Sequence, residues 1–573
     1  MPAMIQLVLA LTLAAGAGEG ASSAPAPDVF NAHCRAVLGP ALRPGAWGMV
    51  HLDADNRFNA TLWPGLGQEV RGQWHSVCAL PELRPGERRA YAVPFRPVPG
   101  AVGPVALLDE RVRPGQGFGG QARRSCPELV GSEDARYVAV LGRLSLPAGA
   151  PAGFSANRTT ETSELPGYPA AYEGLDVLVV GELDGVEPSA VQRQALKCWF
   201  RAGGKVFVTS AAARRELADV LFMTGGVLGD AGTWDEWKRL AGASDDDVLA
   251  WTGEGGSREP LVVRFRTGFG QGAFLWPAAW RPDETVAAWS AYQRLLESSR
   301  CAPAVPLRDR AIYENFPPLR RSLLGADSAL RWALAAALLV STAGAIFWRR
   351  GRPWRLATAA AAAALSAATL VMIFGAGPDG RTLSVRIDEF SPDGAGVRAR
   401  ELLYLEGVAP DWQPEVASAR GALPSPVLSA WEDAGLFSSR LDLPAPGSTD
   451  GPVLSGVRPG GGGIFVGAGP LTGVAPVPVR PAGARALAGL KADACVAAIA
   501  DCLSDADGRC RAQAESLAEW LWRDLGARGM LGDKTAVYVS RLDDEPPALV
   551  PSGRVQSARL ARLGIFFSDG GGH

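Results

Sequence analysis

Histidine is scarce in this 573-residue sequence, which contains only His33, His51, His75 and His573. None of the four lies between residues 137 and 300, the segment that says most about fold. A nucleophilic cysteine or serine normally needs a nearby base, most often histidine, to take its proton. That segment therefore lacks a recognisable base for such chemistry.

A charge excess of either sign is also missing, because 57 basic and 59 acidic residues leave a net charge of −2. No basic stripe interleaved with aromatic residues is present, so we expect no nucleic-acid partner.

The cysteines lack the spacing of a metal site. Cys495, Cys502 and Cys510 are separated by six and seven residues, which is neither CxxC nor a usual zinc pattern. We therefore expect no metal and no cofactor. A local disulfide within 494–511 and three unpaired core cysteines both remain open.

The N-terminus carries an apolar run, Met4–Ala15, followed by small residues. This pattern predicts a secretory signal peptide over residues 1–24, although no Lys or Arg precedes the run. An ordinary hydrophobic segment is the alternative.

Two uncharged apolar stretches, Trp332–Trp348 and Leu356–Ala376, approach the length that crosses a bilayer. They predict transmembrane helices over 330–348 and 356–376, after a linker at 301–329. The loop between them, 349–355, contains four arginines and no acid: Arg349, Arg350, Arg352 and Arg355. The positive-inside rule places such a loop in the cytoplasm. The expected localisation is the bacterial inner membrane with the soluble domains outside. The alternative to a transmembrane span is a buried helix of a soluble domain.

Short alternating runs separated by Gly and Pro turns predict a β-sandwich-like domain over residues 28–136. Similar runs predict a β-rich C-terminal domain over 381–573, with helices near 484–525. Between the first domain and the apolar stretches, Leu175–Gly181 and Lys205–Thr209 read as buried strands around an amphipathic helix at Pro188–Arg201. Strand, helix and strand with short Gly turns indicate a parallel α/β sheet over 137–300. The expected fold class is therefore multidomain α+β.

The runs LDVLVVGELDG and SAVQRQALKCWFRAGGKVFVTS, with the later TGFGQGAFLW, resemble the class I glutamine-amidotransferase-like domain of uncharacterised bacterial membrane proteins. The resemblance covers about residues 140–300. The family's catalytic pattern is absent, because no G-x-C-x-G occurs and Cys198 falls in the middle of the expected helix. The resemblance therefore implies a degenerate domain without catalytic residues.

These patterns favour a non-catalytic envelope membrane scaffold that binds the lipid bilayer and other envelope proteins. A small-ligand-binding envelope sensor is the first alternative, and a cryptic hydrolase or transferase is the second. Ligands of open α/β sheets bind at the carboxyl ends of the strands, which makes Glu182, Thr209 and Ser210 candidates for ligand binding. The alternative is that these residues only cap the turns and helices that follow.

Overall fold

The computed structural model describes most of the chain. The described residues are 30–57, 59, 61–70, 73–98, 105–109, 121–132, 135–144, 159–183, 185, 187–222, 226–252, 259–276, 289–294, 316–319, 335, 338, 379–409, 412–418, 423–427, 440–443, 451–457, 463–469, 481–504, 510–531, 535–543 and 545–569.

The first sheet has three antiparallel strands from the N-terminal part of the chain. In spatial order they are β1 (Phe30–Ala36), β2 (Gly48–Asn56) and β5 (Arg88–Phe95). Along β2, Val50, Leu52 and Ala54 are buried and the residues between them are half-buried. A period of two is typical of a strand that lays one face on a core.

The second sheet has seven strands and forms the α/β unit (residues 137–294). In spatial order the strands are β12 (Val248–Thr252), β13 (Glu259–Thr267), β14 (Gly270–Leu275), β11 (Lys205–Val208), β10 (Val177–Val180), β8 (Val138–Leu141) and β9 (Thr159–Thr160). The pairs β8–β10, β10–β11 and β11–β14 are parallel, as the sequence predicted for this segment. β13 and β14 form the predicted antiparallel hairpin.

Both faces of the α/β sheet are covered, which explains why its strands are apolar throughout. Leu178 and Val180 face helices, whereas Val177 and Val179 face the helical residues 289–294. The helices of this unit are α1 (Ala190–Arg201), α2 (Ala211–Glu216), α3 (Ala218–Leu221), α4 (Gly226–Gly229) and α5 (Trp234–Ala241). Short 3₁₀ turns lie at Pro127–Leu129, Thr162–Glu164, Pro169–Tyr172 and Asp245–Asp247.

Helix α1 has the start and end that its sequence predicts. Ser189 accepts a hydrogen bond from the Gln192 backbone, and the Gln192 side chain accepts one from the Ser189 backbone. The helix ends before Gly203, whose φ of 123° lies in the region that favours glycine.

The third sheet is built from the C-terminal part of the chain. In spatial order it contains β18 (Leu423–Val427), β21 (Ile464–Gly469), β16 (Val397–Gly407), β15 (Gly380–Phe390), β26 (Arg562–Asp569), β23 (Thr535–Leu542) and β22 (Arg485–Ala486), with β25 (Val555–Arg559) also paired to β15. Helices α6 (Ala492–Leu503) and α7 (Arg511–Ala527) pack on one face, against a core that includes Ile387 and Ile565.

The fourth sheet combines strands from both ends of the sequence. In spatial order it contains β24 (Leu549–Pro551), β17 (Val416–Ser418), β20 (Val453–Ser455), β19 (Arg440–Asp442), β4 (Gln73–Ala79), β3 (Pro64–Val70), β6 (Val105–Asp109) and β7 (Gln121–Cys126). The two halves meet where β19 pairs in parallel with β4. The sequence patterns predict separate domains over 28–136 and 381–573. In the structure, strands from both ranges lie in this one sheet.

This composite sheet packs against the first sheet on its N-terminal side. Leu52 of β2, Leu66 of β3 and Leu441 of β19 belong to one buried core. A disulfide between Cys34 of β1 and Cys126 of β7 also joins these two sheets. Cys495, Cys502 and Cys510 form no disulfide and are buried in the core around α6 and α7, so the local disulfide that the sequence left open is absent from these described residues.

The α/β unit is held against the C-terminal sheet at a contact that we call the junction (residues 201, 202, 268, 269, 393, 396 and 398). The Asp393 carboxylate accepts a hydrogen bond of 2.7 Å from the Gly268 backbone. The Arg398 guanidinium donates to the Ala202 carbonyl and lies 4.0 Å from the centre of the Phe269 ring. These contacts tie the α1–β11 turn and the β13–β14 turn to β15 and β16.

The predicted transmembrane hairpin requires correction. Among the described residues no helix is long and apolar enough to cross a membrane. The predicted fold class, multidomain α+β with a two-helix transmembrane hairpin, is therefore wrong, because the described residues form mostly β-sheet and show no such hairpin. The predicted bilayer partner and inner-membrane localisation are wrong as well. The two apolar stretches lie outside the described residues, except for Ala335 and Leu338.

The physical weakness of that prediction is its alanine content. Alanine adds little to the free energy of insertion, which larger apolar side chains supply. The four loop arginines, Arg349, Arg350, Arg352 and Arg355, also lie outside the described residues, as does the predicted signal peptide.

Candidate functional site

The three predicted ligand-binding residues lie at the carboxyl ends of neighbouring parallel strands. Thr209 and Ser210 follow β11, and Glu182 follows β10. The Thr209 hydroxyl donates a 3.0 Å hydrogen bond to the Val180 carbonyl. The Ser210 hydroxyl accepts from the Ala213 backbone at the start of α2, at 3.4 Å. Both hydroxyl groups therefore serve the local backbone, and only the Glu182 side chain is exposed.

The loops after β8 and β10 close this part of the sheet edge. The Arg143 backbone donates to the Glu182 carbonyl at 2.7 Å, and the Glu182 backbone donates to the Arg143 carbonyl at 2.8 Å. A Cβ atom on Gly181 would lie 2.1 Å from the Arg143 carbonyl oxygen, and one on Gly142 would lie 2.2 Å from the Glu182 carbonyl oxygen. Only glycine permits so close an approach, so the two backbones are in direct contact at these described residues.

The one cysteine of the α/β unit that the structure describes is Cys198, in the middle of α1. Its sulfur lies 3.3 Å from the Gln194 side-chain amide nitrogen, one helical turn away. This position differs from the exposed strand-to-helix turn that presents a nucleophile. The geometry gives Cys198 no catalytic surroundings.

Sequence reasoning missed a different feature at the same end of the sheet, which we call the Arg214 cluster (Arg214 with Phe274, Trp276, Trp234 and Trp237). Arg214 lies in α2, which follows β11, and Trp276 follows β14. The Arg214 guanidinium lies 5.0 Å from the centre of the Phe274 ring and 5.1 Å from that of Trp276. It is a buried cation held between aromatic rings.

The aromatic rings of this cluster also contact each other. The ring centres of Trp237 and Phe274 are 4.8 Å apart, and those of Trp234 and Trp276 are 5.8 Å apart. Trp237 is fully buried, whereas Trp234 and Trp276 are partly exposed. One side of the cluster is therefore open to solvent.

Several donors in the Arg214 cluster have no acceptor. Arg214 Nη2 donates to the Ala231 carbonyl at 3.2 Å. Among the described residues, however, buried Arg214 Nε and Nη1 have no hydrogen-bond partner, and neither has buried Trp237 Nε1. Each buried donor left unsatisfied costs about 1–3 kcal/mol. Arg214 is only 7% exposed, and burial lowers the pKa of its guanidinium. Among the ion pairs of the described residues none involves Arg214.

The sequence carried one signal for this cluster. Arg214, Leu217 and Ala218 share one face in helical spacing, so a charged residue occupies an otherwise apolar stripe. The aromatic residues that surround Arg214 come from distant segments, and no local pattern connects them.

A second group of buried charges lies in the C-terminal block, which we call the Glu389 cluster (Glu389, Arg398, Arg400, Arg528 and Asp524). The fully buried Glu389 carboxylate accepts from Arg400 at 2.6 Å and from Arg528 at 2.7 Å. Burial alone would raise the pKa of Glu389, but Arg400 and Arg528 hold it well below its usual range. Because Arg398 also belongs to the junction, this cluster joins the C-terminal sheet to the α/β unit.

No group of three His, Cys, Asp or Glu side chains within the described residues could hold a metal ion. The predicted absence of a cofactor and of a metal stays a prediction.

No protein-family model, curated protein or solved structure matches this chain. The amidotransferase-like resemblance and the signal peptide therefore receive no support from these comparisons, and the resemblance stays a prediction.

Proposed function

We propose that this protein is a non-catalytic interaction scaffold. The observation that supports the proposal is the pairing of β4 with β19, which makes one sheet from the two ends of the sequence. The junction then fixes the α/β unit against the C-terminal sheet. A body assembled in this way presents several surfaces in a fixed mutual arrangement, as a scaffold requires.

The structural roles of Ser210, Thr209 and Cys198 support the same proposal. Ser210 caps a helix, Thr209 bonds a strand end, and Cys198 lies within a helix. The predicted ligand edge is closed by the Arg143–Glu182 pairing. The residues that a catalytic account would use therefore have structural roles.

The test is crosslinking of the full-length chain in its native host, followed by purification and mass spectrometry. We expect a stoichiometric partner that Arg398→Met weakens, because this variant removes the guanidinium that bonds Ala202 and stacks on Phe269. Arg523→Met is the matched control, since Arg523 is exposed on α7. Ser210→Ala and Cys198→Ala should leave the partner bound.

Purification of the chain without any stoichiometric partner would contradict the scaffold proposal. Equal capture by wild type and by folded Arg398→Met would instead contradict the role of the junction.

The second candidate function is the binding of a small ligand by the α/β unit. The specific observation that favours it is the set of unsatisfied donors on Arg214 and Trp237. This site is distinct from the Glu182 edge, which the β8 and β10 loops close.

A further inference from the structure

The Arg214 cluster combines a buried cation with aromatic surfaces at the carboxyl end of a parallel sheet. We propose that it binds a small organic carboxylate whose body is apolar and planar. This inference rests on the second candidate function and names the class of ligand for that site.

The unsatisfied hydrogen-bond donors of the Arg214 guanidinium favour binding of an anion. In the part of the chain that the structure describes, its buried Nε and Nη1 atoms have no acceptor, and Nη2 donates to a neutral carbonyl, that of Ala231. The acid that acts on Arg214 electrostatically is Asp230, which is exposed, and neighbouring Arg215 opposes it. A buried guanidinium is stabilised best by a carboxylate, whose two oxygens match its planar donors.

The aromatic rings around Arg214 favour a ligand whose uncharged part is apolar and planar. Phe274 and Trp276 lie against the guanidinium, and the partly exposed Trp234 ring packs against Trp276. Ligand sites in proteins are usually apolar or aromatic surfaces with a few placed polar groups, which is the composition found here. Flat rings of this kind pack well against a planar apolar group.

The position in the fold agrees with this assignment. Arg214 follows the carboxyl end of β11, and Trp276 follows the carboxyl end of β14, which pairs with it in parallel. Ligands of open α/β sheets bind outside this edge. The Arg143–Glu182 backbone pairing occupies the edge after β8 and β10. The edge after β11 and β14, where Arg214 and Trp276 lie, is therefore where we place the ligand.

A purely structural role makes a different prediction. If Arg214 only stacks on its rings and water satisfies its donors, added carboxylates produce no saturable change. Benzoate is the probe, because it joins one carboxylate to one planar ring. Benzamide is its neutral match, and inorganic phosphate is an anion without an apolar body.

The experiment is a titration of the full-length protein, followed by calorimetry and by tryptophan fluorescence, to which Trp234, Trp237 and Trp276 contribute. We expect saturable benzoate binding, with benzamide weaker by about tenfold or more. Arg214→Met should weaken benzoate by about tenfold or more, and Arg214→Lys by less, because lysine keeps the charge but loses the planar donors. Arg239→Met is the matched control, since Arg239 is exposed on α5, and it should bind as wild type does.

A second measurement uses only the wild-type protein, so it tests the proposal even if Arg214→Met fails to fold. The arginine Nε–Hε resonances of wild type should include one that shifts on addition of benzoate and not of benzamide. Phosphate binding that depends on Arg214, without benzoate binding, would overturn the carboxylate class but leave the second candidate function standing. No saturable response to benzoate or phosphate in folded wild type would overturn both.

Discussion

Leu441 lies directly opposite Cys78 in a parallel strand pair, and both side chains are buried in the same core. The two residues come from opposite ends of the chain. Their pairing means that the N-terminal strands complete their sheet only when strands from beyond residue 416 are in place. Such non-local pairing must overcome a large loop-closure entropy, so the two ends should fold together and slowly.

The Glu389 cluster should control stability in a pH-dependent way. Glu389→Gln removes the buried carboxylate that Arg398, Arg400 and Arg528 share, although Arg400 and Arg528 keep their contacts to Asp524. Breaking a buried pair typically costs about 3–5 kcal/mol. We expect a loss of this size at pH 7 in urea unfolding. Glu519→Gln, at an exposed position on α7, is the control and should change stability little.

The direction of the pH effect follows from the lowered pKa of Glu389. The carboxylate contributes stability above its unfolded pKa of about 4.3, and this contribution is lost as the pH falls toward the folded pKa. The difference between wild type and Glu389→Gln should therefore shrink below about pH 4. A constant difference from pH 7 to pH 3 would show that the ion pairs are not its source.

Glu173 should act in the opposite direction. Burial raises its pKa to about 7, while nearby Arg96 and the Trp47 backbone lower it by less. A raised carboxyl pKa means that the folded state binds the proton more tightly, so stability falls as the pH rises from about 4.3 to 7. Glu173→Gln should be unchanged at pH 4.5 and more stable than wild type at pH 8, by about 1–3 kcal/mol. Equal stability of the two proteins at pH 8 would contradict this role.

The closed sheet edge predicts a steric effect at Gly181. Gly181→Ala places a methyl group 2.1 Å from the Arg143 carbonyl oxygen, so the β8 and β10 loops must separate. We expect a loss of about 1–3 kcal/mol in the free energy of unfolding, typical of an overpacked site. Gly232→Ala is the control, since its Cβ would meet nothing within 4 Å. Equal effects at both positions would mean that the edge is open.

Local patterns in the sequence identified most of the α/β unit. The apolar runs Val177–Val180 and Lys205–Val208 are strands, and the Ser189–Gln192 capping box begins the helix between them. Because these features depend on residues that are close in sequence, periodicity and capping rules can predict them.

The composite sheet and the Arg214 cluster could not be found in this way. β17, β19 and β20 are three residues long, too short for a period to show. The partner that joins the two ends of the chain, β4 beside β19, is far away in sequence. The aromatic residues around Arg214 belong to α5 and to the end of β14, which are distant from it in sequence. The hairpin prediction failed for another reason, because alanine supplies little of the free energy that inserts a helix into a bilayer and an arginine-rich loop does not replace it.

The pairing of β4 with β19 is the central claim, and hydrogen exchange of the full-length chain tests it most directly. Leu441→Ala should lower the free energy of unfolding by about 2–4 kcal/mol, because it opens a cavity in the shared core. Val408→Ala, at a position 45% exposed, is the control and should have little effect. We predict that Leu441→Ala speeds exchange in both 440–442 and 73–79. Faster exchange confined to 440–442, with 73–79 protected as in wild type, would contradict a single sheet built from both ends of the chain.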